Sequence, residues 1–187
     1  MDETRFHGLD LITSPGRVMT PRPATEALVD RALELVDGRP ARVADVGTGS
    51  GAIAVALAAR APRAEIWATD TSAEAVWVAR LNAARLGVDD RVHLLVGDLL
   101  EPVAGPLDLV LANLPYLPES EAEDPDIAGE PPSAVLAPGD GLGPYRRLLE
   151  QCESRLADDG VLVIQFRRRI LEAGLGELTA FEQLLAA

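Results

Sequence analysis

Residues 41–60 read ARVADVGTGSGAIAVALAAR, and this stretch decides how the chain folds. A short apolar run ends at Asp45, a glycine-rich turn follows over residues 47–51, and from Ala52 onward the apolar residues recur at helical spacing. We therefore predict a strand, a tight turn and a helix in direct succession.

The turn has the composition of a ligand-binding loop. Gly47, Gly49 and Gly51 can adopt positive φ and place no Cβ between the backbone and a ligand. The first N–H groups of the next helix are unpaired, so the turn can accept the polar part of a nucleotide-like molecule. The G-x-G-x-G spacing lacks the third glycine of the dinucleotide fingerprint, which disfavours a nicotinamide-dependent oxidoreductase. A strand-helix corner without a ligand is the alternative interpretation.

Length and composition indicate one globular domain over residues 1–187. Hydrophobic residues make up 48% of the chain and charged residues 25%, values typical of a soluble protein with a real core. The formal net charge of −13 repels phosphate backbones, so we do not expect a nucleic-acid partner.

Several classes of site and location are disfavoured by what the chain lacks. Its single cysteine allows no intrachain disulfide, and its two histidines are not spaced as metal ligands, so we expect no metal. The N-terminus does not read as a signal peptide, and no apolar run approaches about 18 residues. We expect a cytoplasmic protein that does not contact a membrane.

Strand and helix patterns alternate through the rest of the chain, which predicts a doubly wound parallel α/β sheet. Further strands are predicted over residues 64–70, 92–96, 107–112 and 161–166, and helices over residues 24–36, 73–86, 144–157 and 168–186. Residues 1–23 form an N-terminal arm, with a small hairpin or extended segment around Ser14-Pro15-Gly16. Residues 117–143 form a long acidic, proline-rich loop without a regular period, which suggests a functional lid or disorder.

Acidic residues follow two of the predicted strands. Asp70 lies about 20 residues beyond the glycines, where such folds place a carboxylate that accepts bonds from ribose hydroxyls. Its alternative role is to cap the next helix. Asp98 could bond an adenine amino group while Leu99 covers the ring, and a simple loop aspartate is the competing interpretation.

Several short motifs occur in one order along the chain. They are Phe6-His7-Gly8-Leu9, Thr20-Pro21-Arg22-Pro23 with Thr25-Glu26, residues 45–52, Asp70, Gly97-Asp98-Leu99-Leu100, Asn113-Leu114-Pro115-Tyr116, Glu130-Pro131, Gly139-Asp140-Gly141-Leu142 and Tyr145-Arg146. Together they resemble the class I S-adenosylmethionine-dependent methyltransferases, and within them the HemK/PrmC-type protein-glutamine N5-methyltransferases. The resemblance covers most of the chain and is far more specific than the glycine turn.

The resemblance implies S-adenosylmethionine as the cofactor and a Rossmann-like, mostly parallel sheet of five core strands in the order 3-2-1-4-5. The glycine turn would pass the methionine part, Asp70 would hold the ribose, and Asp98 with Leu99 would lie at the adenine. The cofactor-binding residues that it implies are Asp45, Gly47, Thr48, Gly49, Ser50, Gly51, Asp70, Asp98, Leu99 and Asn113.

The family's Asn-Pro-Pro-Tyr motif maps to Asn113, Leu114, Pro115 and Tyr116, which would bind the methyl-accepting amide. Asn113, Pro115 and Tyr116 are the implied catalytic residues. An amide nitrogen is a poor nucleophile because it shares its lone pair with the carbonyl, so positioning is most of what an enzyme can contribute. The Asn113 side-chain oxygen and the Leu114 carbonyl could each accept one amide N–H and stabilise the developing charge. Tyr116 would supply a flat wall, and neither a base of shifted pKa nor a metal is required.

The chain departs from the family pattern in three places. Leu114 replaces the first proline of the motif, which keeps the carbonyl but adds an N–H that needs a partner. Only about twenty residues precede Thr20, where family members carry a helical domain that helps to recognise release factors. The family's final antiparallel hairpin has no predicted counterpart, so the sheet edge would need cover from the last helix, the arm or a second chain.

The leading hypothesis is an S-adenosylmethionine-dependent N-methyltransferase that acts on a glutamine side-chain amide of a protein, with a peptide chain release factor as the expected partner. One alternative is a nucleic-acid methyltransferase acting on an adenine or guanine amino group, since related enzymes use a similar tetrad. Another is a catalytically weakened cofactor-binding module, for which Leu114 is the best support. The sequence does not choose the methyl acceptor, the oligomeric state, or whether the chain is part of a longer protein.

Overall fold

The structure is a computed structural model that describes residues 1–167 and 181–186. Its strands are β1 (Asp2–Phe6), β2 (Leu9–Thr13), β3 (Ala41–Val46), β4 (Ala64–Asp70), β5 (Val92–Val96), β6 (Leu107–Ala112), β7 (Leu117–Pro118), β8 (Leu136–Ala137), β9 (Leu156–Arg167) and β10 (Phe181–Ala186). Its α-helices are α1 (Glu26–Val36), α2 (Ala52–Arg60), α3 (Ala73–Leu86), α4 (Pro132–Val135) and α5 (Gly143–Arg155). Three single-turn 3-10 helices cover Pro23–Thr25, Glu119–Glu121 and Pro125–Ile127.

Six strands form a parallel sheet in the order β10-β9-β6-β3-β4-β5. The predicted order of the five core strands is therefore confirmed, from β5 at one edge through β3 to β9. The C-terminal helix predicted over residues 168–186 is wrong where it is described. Phe181–Ala186 is strand β10, parallel to β9, because the open backbone groups of β9 are satisfied by a neighbouring strand. The rest of that predicted helix lies outside the described residues.

Apolar side chains bury both faces of the sheet. The α1 and α2 face packs Val43, Ile66, Leu111 and Val163 against the two helices. The opposite face packs residues such as Val110 and Ile164 against α5. Side chains alternate between the faces of a strand, so consecutive strand residues enter different clusters. This two-sided burial confirms the doubly wound prediction.

The N-terminal hairpin turns at a different place from the one predicted. Strands β1 and β2 pair in antiparallel register around His7 and Gly8, not around Ser14-Pro15-Gly16. Both turn residues have positive φ, which suits a tight two-residue connection between antiparallel strands. The Asn82 side chain of α3 then bonds the N–H and the C=O of Ile12 at 2.7 and 2.9 Å. The same Nδ2 also donates to the Ser50 carbonyl at 2.8 Å, so Asn82 holds the arm beside the glycine turn.

The segment predicted as an irregular loop over residues 117–143 contains short regular elements. Strands β7 and β8 pair with each other, and α4 lies immediately before β8. Leu117, Ile127 and Val135 form a small cluster with Met19 from the arm against it. The Glu130 carboxylate also accepts the Thr20 N–H at 3.0 Å. Packing against the arm therefore orders a segment that has no period of its own.

None of the helices in residues 1–167 is long and apolar enough to cross a membrane.

Candidate active site

Two clefts open where the parallel strands end, and they meet at the residues that follow β6. The glycine-turn cleft is lined by Gly47, Gly49, Asp70, Asp98, Leu99 and Arg147 among others. The loop cleft lies between the arm and the segment after β6 and is lined by Arg22, Thr25, Tyr116, Ile127 and Gln165 among others. Both clefts share Met19, Asn113, Leu114, Pro115 and Ala134. A molecule in one cleft can therefore meet a molecule in the other beside Asn113.

Hydrogen bonds to the buried Asp45 carboxylate stabilise the turn after β3. This carboxylate is fully buried, and one of its oxygens accepts the Thr48 hydroxyl at 2.6 Å and the Ala54 N–H at 3.2 Å. Asp45 does not line either cleft, so any influence on a ligand passes through the turn. Thr48 and Ser50 are buried and line a smaller cavity that continues from the turn toward Arg22.

Two of the turn glycines are required by close contacts. Gly47 has a φ of +71°, and a Cβ there would lie 2.7 Å from Cδ2 of Leu114. Gly51 has a φ of +79°, and a Cβ there would lie 2.8 Å from the Cβ of Ala79 in α3. Gly47 thus lets the post-β6 segment approach the turn, while Gly51 lets α3 pack against the start of α2.

Asp70 stands at the end of β4 with both oxygens engaged by the backbone. One accepts the Gly49 N–H and the other accepts the Ser72 N–H, each at 2.9 Å. Ser72 itself caps α3 by accepting the Ala75 N–H, so the capping role does not fall to Asp70. Burial raises the pKa of Asp70, and the two N–H bonds oppose that rise. Because each carboxylate oxygen has two lone pairs, Asp70 can still accept two hydroxyl groups from the cleft.

The far end of the glycine-turn cleft is formed by Asp98 and Leu99. Asp98 is paired with Arg147 of α5, a residue that the sequence did not single out. Leu99 has a φ of +49°, which is uncommon for a residue other than glycine. Its carbonyl accepts the Thr69 hydroxyl at 2.8 Å, which holds it in that conformation. An apolar wall and a carboxylate therefore lie side by side at this end of the cleft.

The Asn113 carboxamide is oriented by the short helix before α1. Its Nδ2 donates to the Thr25 hydroxyl at 3.4 Å, a long hydrogen bond, and Thr25 is itself buried. The nitrogen end thus faces Thr25, and the oxygen end is directed away from it. Pro115 follows in the shared wall of both clefts, and Tyr116 lines the loop cleft.

The N–H that Leu114 adds has a partner. It donates to the Tyr145 hydroxyl at 3.1 Å, and that oxygen also lies 2.8 Å from the Gln165 carbonyl and 3.1 Å from the Leu114 carbonyl. A tyrosine hydroxyl has one proton to donate, and the Gln165 carbonyl is the nearer acceptor. Burial raises the pKa of Tyr145, so the hydroxyl keeps that proton. Tyr145 therefore fixes the Leu114 peptide in the place where the family pattern has a proline.

This contact predicts a specific pattern of stability changes. Tyr145→Phe should leave the buried Leu114 N–H unpaired and lower the free energy of unfolding by about 1–3 kcal/mol. In a Leu114→Pro background the N–H is absent, so the same tyrosine change should cost clearly less. Urea unfolding of the two single variants and the double variant measures both costs. Equal costs in the two backgrounds would contradict the assigned contact.

Asp45 predicts a pH dependence of stability. Burial raises its pKa from 3.8 to about 6, and its Oδ1 has no hydrogen-bond partner in the described part of the chain. A carboxyl group with a higher pKa in the folded state binds its proton more tightly there, so the free energy of unfolding falls as pH rises from about 4 to about 6. That fall amounts to up to about 3 kcal/mol, since each pKa unit corresponds to about 1.4 kcal/mol.

The test is to compare the parent with Asp45→Asn, which has no charge to bury and can still accept the Thr48 hydroxyl. Urea unfolding between about pH 4 and pH 7 should show a clearly smaller fall in the variant than in the parent, and the raised pKa of Asp70 leaves part of the fall in both proteins. Identical pH profiles for the two proteins would show that Asp45 does not titrate in this range.

Four further residues belong to the site, and the sequence predicted a role for none of them: Thr25, Tyr145, Arg147 and Gln165. One pattern could have revealed Gln165, because it interrupts the apolar run VLVIQF of a buried strand. Thr25 and Tyr145 occur in the quoted motifs, but their contacts to Asn113 and Leu114 join residues 88 and 31 positions apart. Such contacts leave no local trace in the sequence.

Comparison with known proteins found similar sequences and similar structures. Residues 22–130 match the methyltransferase small domain family. The chain is 44% identical over 151 residues to the release factor glutamine methyltransferase of Rhodospirillum rubrum, covering 79% of this chain and 46% of that protein. It is 42% identical over 170 residues to the enzyme of the same name from Deinococcus radiodurans, covering 89% and 60%. The chain thus spans about half the length of these curated relatives.

Among solved structures, the ribosomal protein L11 methylase of Lactobacillus delbrueckii subsp. bulgaricus is similar, with a TM-score of 0.56 and 29% identity. The match covers 79% of this chain and 62% of that one. The similarity places both clefts on a fold that other methyltransferases share.

Proposed function

Because the chain belongs to the methyltransferase small domain family, we propose that it is an S-adenosylmethionine-dependent N-methyltransferase that acts on a glutamine side-chain amide of a peptide chain release factor. The observation that carries the proposal is the meeting of the two clefts at Asn113, Leu114 and Pro115. One cleft suits a nucleoside-like donor, and the other ends at a carboxamide. The similarity to release factor glutamine methyltransferases supports the substrate class.

The residues of the glycine-turn cleft fit S-adenosylmethionine. The turn at Gly47 and Gly49 presents backbone without side chains, and Asp70 has acceptor capacity left for the two ribose hydroxyls. Asp98 can accept from the adenine amino group, and Leu99 can cover the ring. Held by these residues, S-adenosylmethionine would supply an electrophilic methyl group, and the electron pair of the broken carbon–sulfur bond would remain on sulfur as the new bond to nitrogen formed.

The chain's own residues position the nitrogen that receives the methyl group. Asn113 turns its oxygen end away from Thr25, and this oxygen can accept one N–H of the substrate amide. The Leu114 carbonyl can accept the other, since its second lone pair remains available beside the Tyr145 hydroxyl, which lies 3.1 Å away. Both acceptors stabilise the positive charge that develops on nitrogen before the excess proton leaves to solvent. Tyr116 lines the cleft beside them and bounds the amide plane.

Charge supports a protein substrate over a nucleic acid. A formal net charge of −13 opposes the approach of a phosphate backbone, and a flipped base would need a basic surface beside the site. A release factor as substrate would place the reaction in the cytoplasm.

The proposal is tested by incubating the chain with methyl-labelled S-adenosylmethionine and, separately, purified release factor, total RNA and DNA. We expect label in the release factor, on a glutamine side-chain nitrogen identified by mass spectrometry. Label in RNA or DNA but not in protein would overturn the substrate. Cofactor binding by calorimetry without transfer to any of them would leave a binding module.

A further inference from the structure

Gln165 lies deep in the loop cleft and has an unused hydrogen-bonding atom. The residue is on β9 and only 7% exposed, yet it lines the cleft with Asn113 and Tyr116. Its backbone carbonyl is bonded to the Tyr145 hydroxyl, whereas its side-chain Oε1 is enclosed and has no partner among the described residues. A buried acceptor without a donor destabilises the folded protein, so its retention calls for a ligand that supplies the donor.

Strand register places Gln165 beside Asn113. Ala112, the last residue of β6, is paired with Ile164 of β9, so Asn113, which directly follows the strand, comes close to Gln165, and both residues line the loop cleft. Leu111 and Val163, two positions before them, both pack on the α1 and α2 face of the sheet. Because strand side chains alternate, Asn113 and Gln165 project from that same face. Two carboxamides therefore lie side by side in one cleft.

We propose that Gln165 is a specificity-determining residue, whose Oε1 is a second acceptor for the amide N–H that Asn113 receives, while the Leu114 carbonyl accepts the other N–H. This inference rests on the proposed function and deepens it. A primary amide brings two N–H donors into a cleft with several acceptor oxygens. An ionised glutamate side chain has no N–H donor, and its carboxylate oxygens would face the acceptor oxygens of the cleft and be repelled by them.

The arrangement also distinguishes substrate from product. The N-methylated amide keeps one N–H, so it satisfies one fewer of the facing acceptors than the unmethylated amide does. Gln165 therefore favours binding of the unmethylated glutamine and release of the monomethylated product.

The decisive variant is Gln165→Leu, which removes the amide but keeps a similar volume. We expect the KM for the release factor to rise about tenfold or more, the range for a lost hydrogen bond, with little change in the dissociation constant of S-adenosylmethionine. A release factor whose target glutamine is replaced by glutamate should compete poorly with the parent enzyme and distinctly better with the variant. Gln165→Glu, which keeps acceptor oxygens, should retain more of the preference for glutamine than Gln165→Leu does.

Stability separates this role from a structural one. Gln165→Leu deletes an acceptor that no described group satisfies, so its melting temperature should equal or exceed that of the parent. Gln151 is the matched control, because its Oε1 accepts the Leu100 N–H at 2.7 Å, and Gln151→Leu should lower the melting temperature. If Gln165→Leu leaves both the KM for the release factor and the competition by the glutamate-containing release factor unchanged, the inference is wrong. Methyl transfer by the parent would in that case still support the proposed function. If the parent itself transfers no methyl group to the release factor, the proposed function fails first.

Discussion

Replacing Asn113 by alanine should lower the rate of methyl transfer by about 10²–10³ and leave the affinity for S-adenosylmethionine within a few fold of the parent value. Asn113 provides the side-chain oxygen at the junction of the two clefts, and its other end is held by Thr25. Removing one group that stabilises developing charge typically lowers kcat by about 10²–10³. Single-turnover transfer to the release factor and calorimetric titration with the cofactor measure the two quantities separately.

A second variant tests whether orientation of the carboxamide matters. Thr25→Val removes the hydroxyl that faces the Asn113 nitrogen but leaves every acceptor oxygen of the site in place. We expect a loss of transfer smaller than that of Asn113→Ala, again without a change in cofactor affinity. Should Asn113→Ala weaken transfer and cofactor binding to the same extent, the residue would be structural and the proposed mechanism would fail.

Replacing Asp70 by alanine should weaken the binding of S-adenosylmethionine by about 100-fold or more. The carboxylate is the acceptor assigned to the ribose hydroxyls, and a hydrogen bond to a charged group contributes about 1.5–3 kcal/mol. The same change also frees the Gly49 and Ser72 N–H groups, so the glycine turn loses a brace as well. Calorimetry with S-adenosylmethionine and with its demethylated product measures the effect.

Two controls accompany the Asp70 variant. Asp90→Ala removes a carboxylate from an exposed turn beyond α3 and should leave the cofactor affinity unchanged. Asp70→Asn keeps one carbonyl acceptor, so its affinity for S-adenosylmethionine should be lower than that of the parent and higher than that of Asp70→Ala. Parent-like affinity in a folded Asp70→Ala would remove Asp70 from the cofactor site.

The local sequence pattern was sufficient to predict the helices and strands whose first and last residues are set by capping, glycine and alternation. Strands β4, β5 and β6 occur at the predicted residues, and α3 begins after its Ser72 cap and ends at Gly87 in the left-handed conformation. These limits depend on alternation, capping and glycine φ, all of which operate within a few residues. The position of Asp70 at the end of β4 follows from them.

Local pattern failed where a partner decided the conformation. Residues 181–186 pair as a strand because β9 offers an open edge, although the same segment reads as a helix by itself. The segment after β6 gains β7, α4 and β8 because Met19 and Thr20 of the arm supply packing and a hydrogen bond. In both cases the stabilising groups are far away along the chain.

By itself, the sequence determined the parallel sheet, the glycine turn at its centre and the carboxylates and carboxamide that follow the strands, because periodicity and turn chemistry are local properties. Tertiary structure alone decided which atoms those groups present to the clefts. In the folded chain the Leu114 N–H donates to Tyr145 and the Asn113 side chain donates to Thr25. Strand register places Gln165 close to Asn113. These contacts join residues that only the strand order brings together, and hydrogen bonding depends on distance in space rather than along the chain.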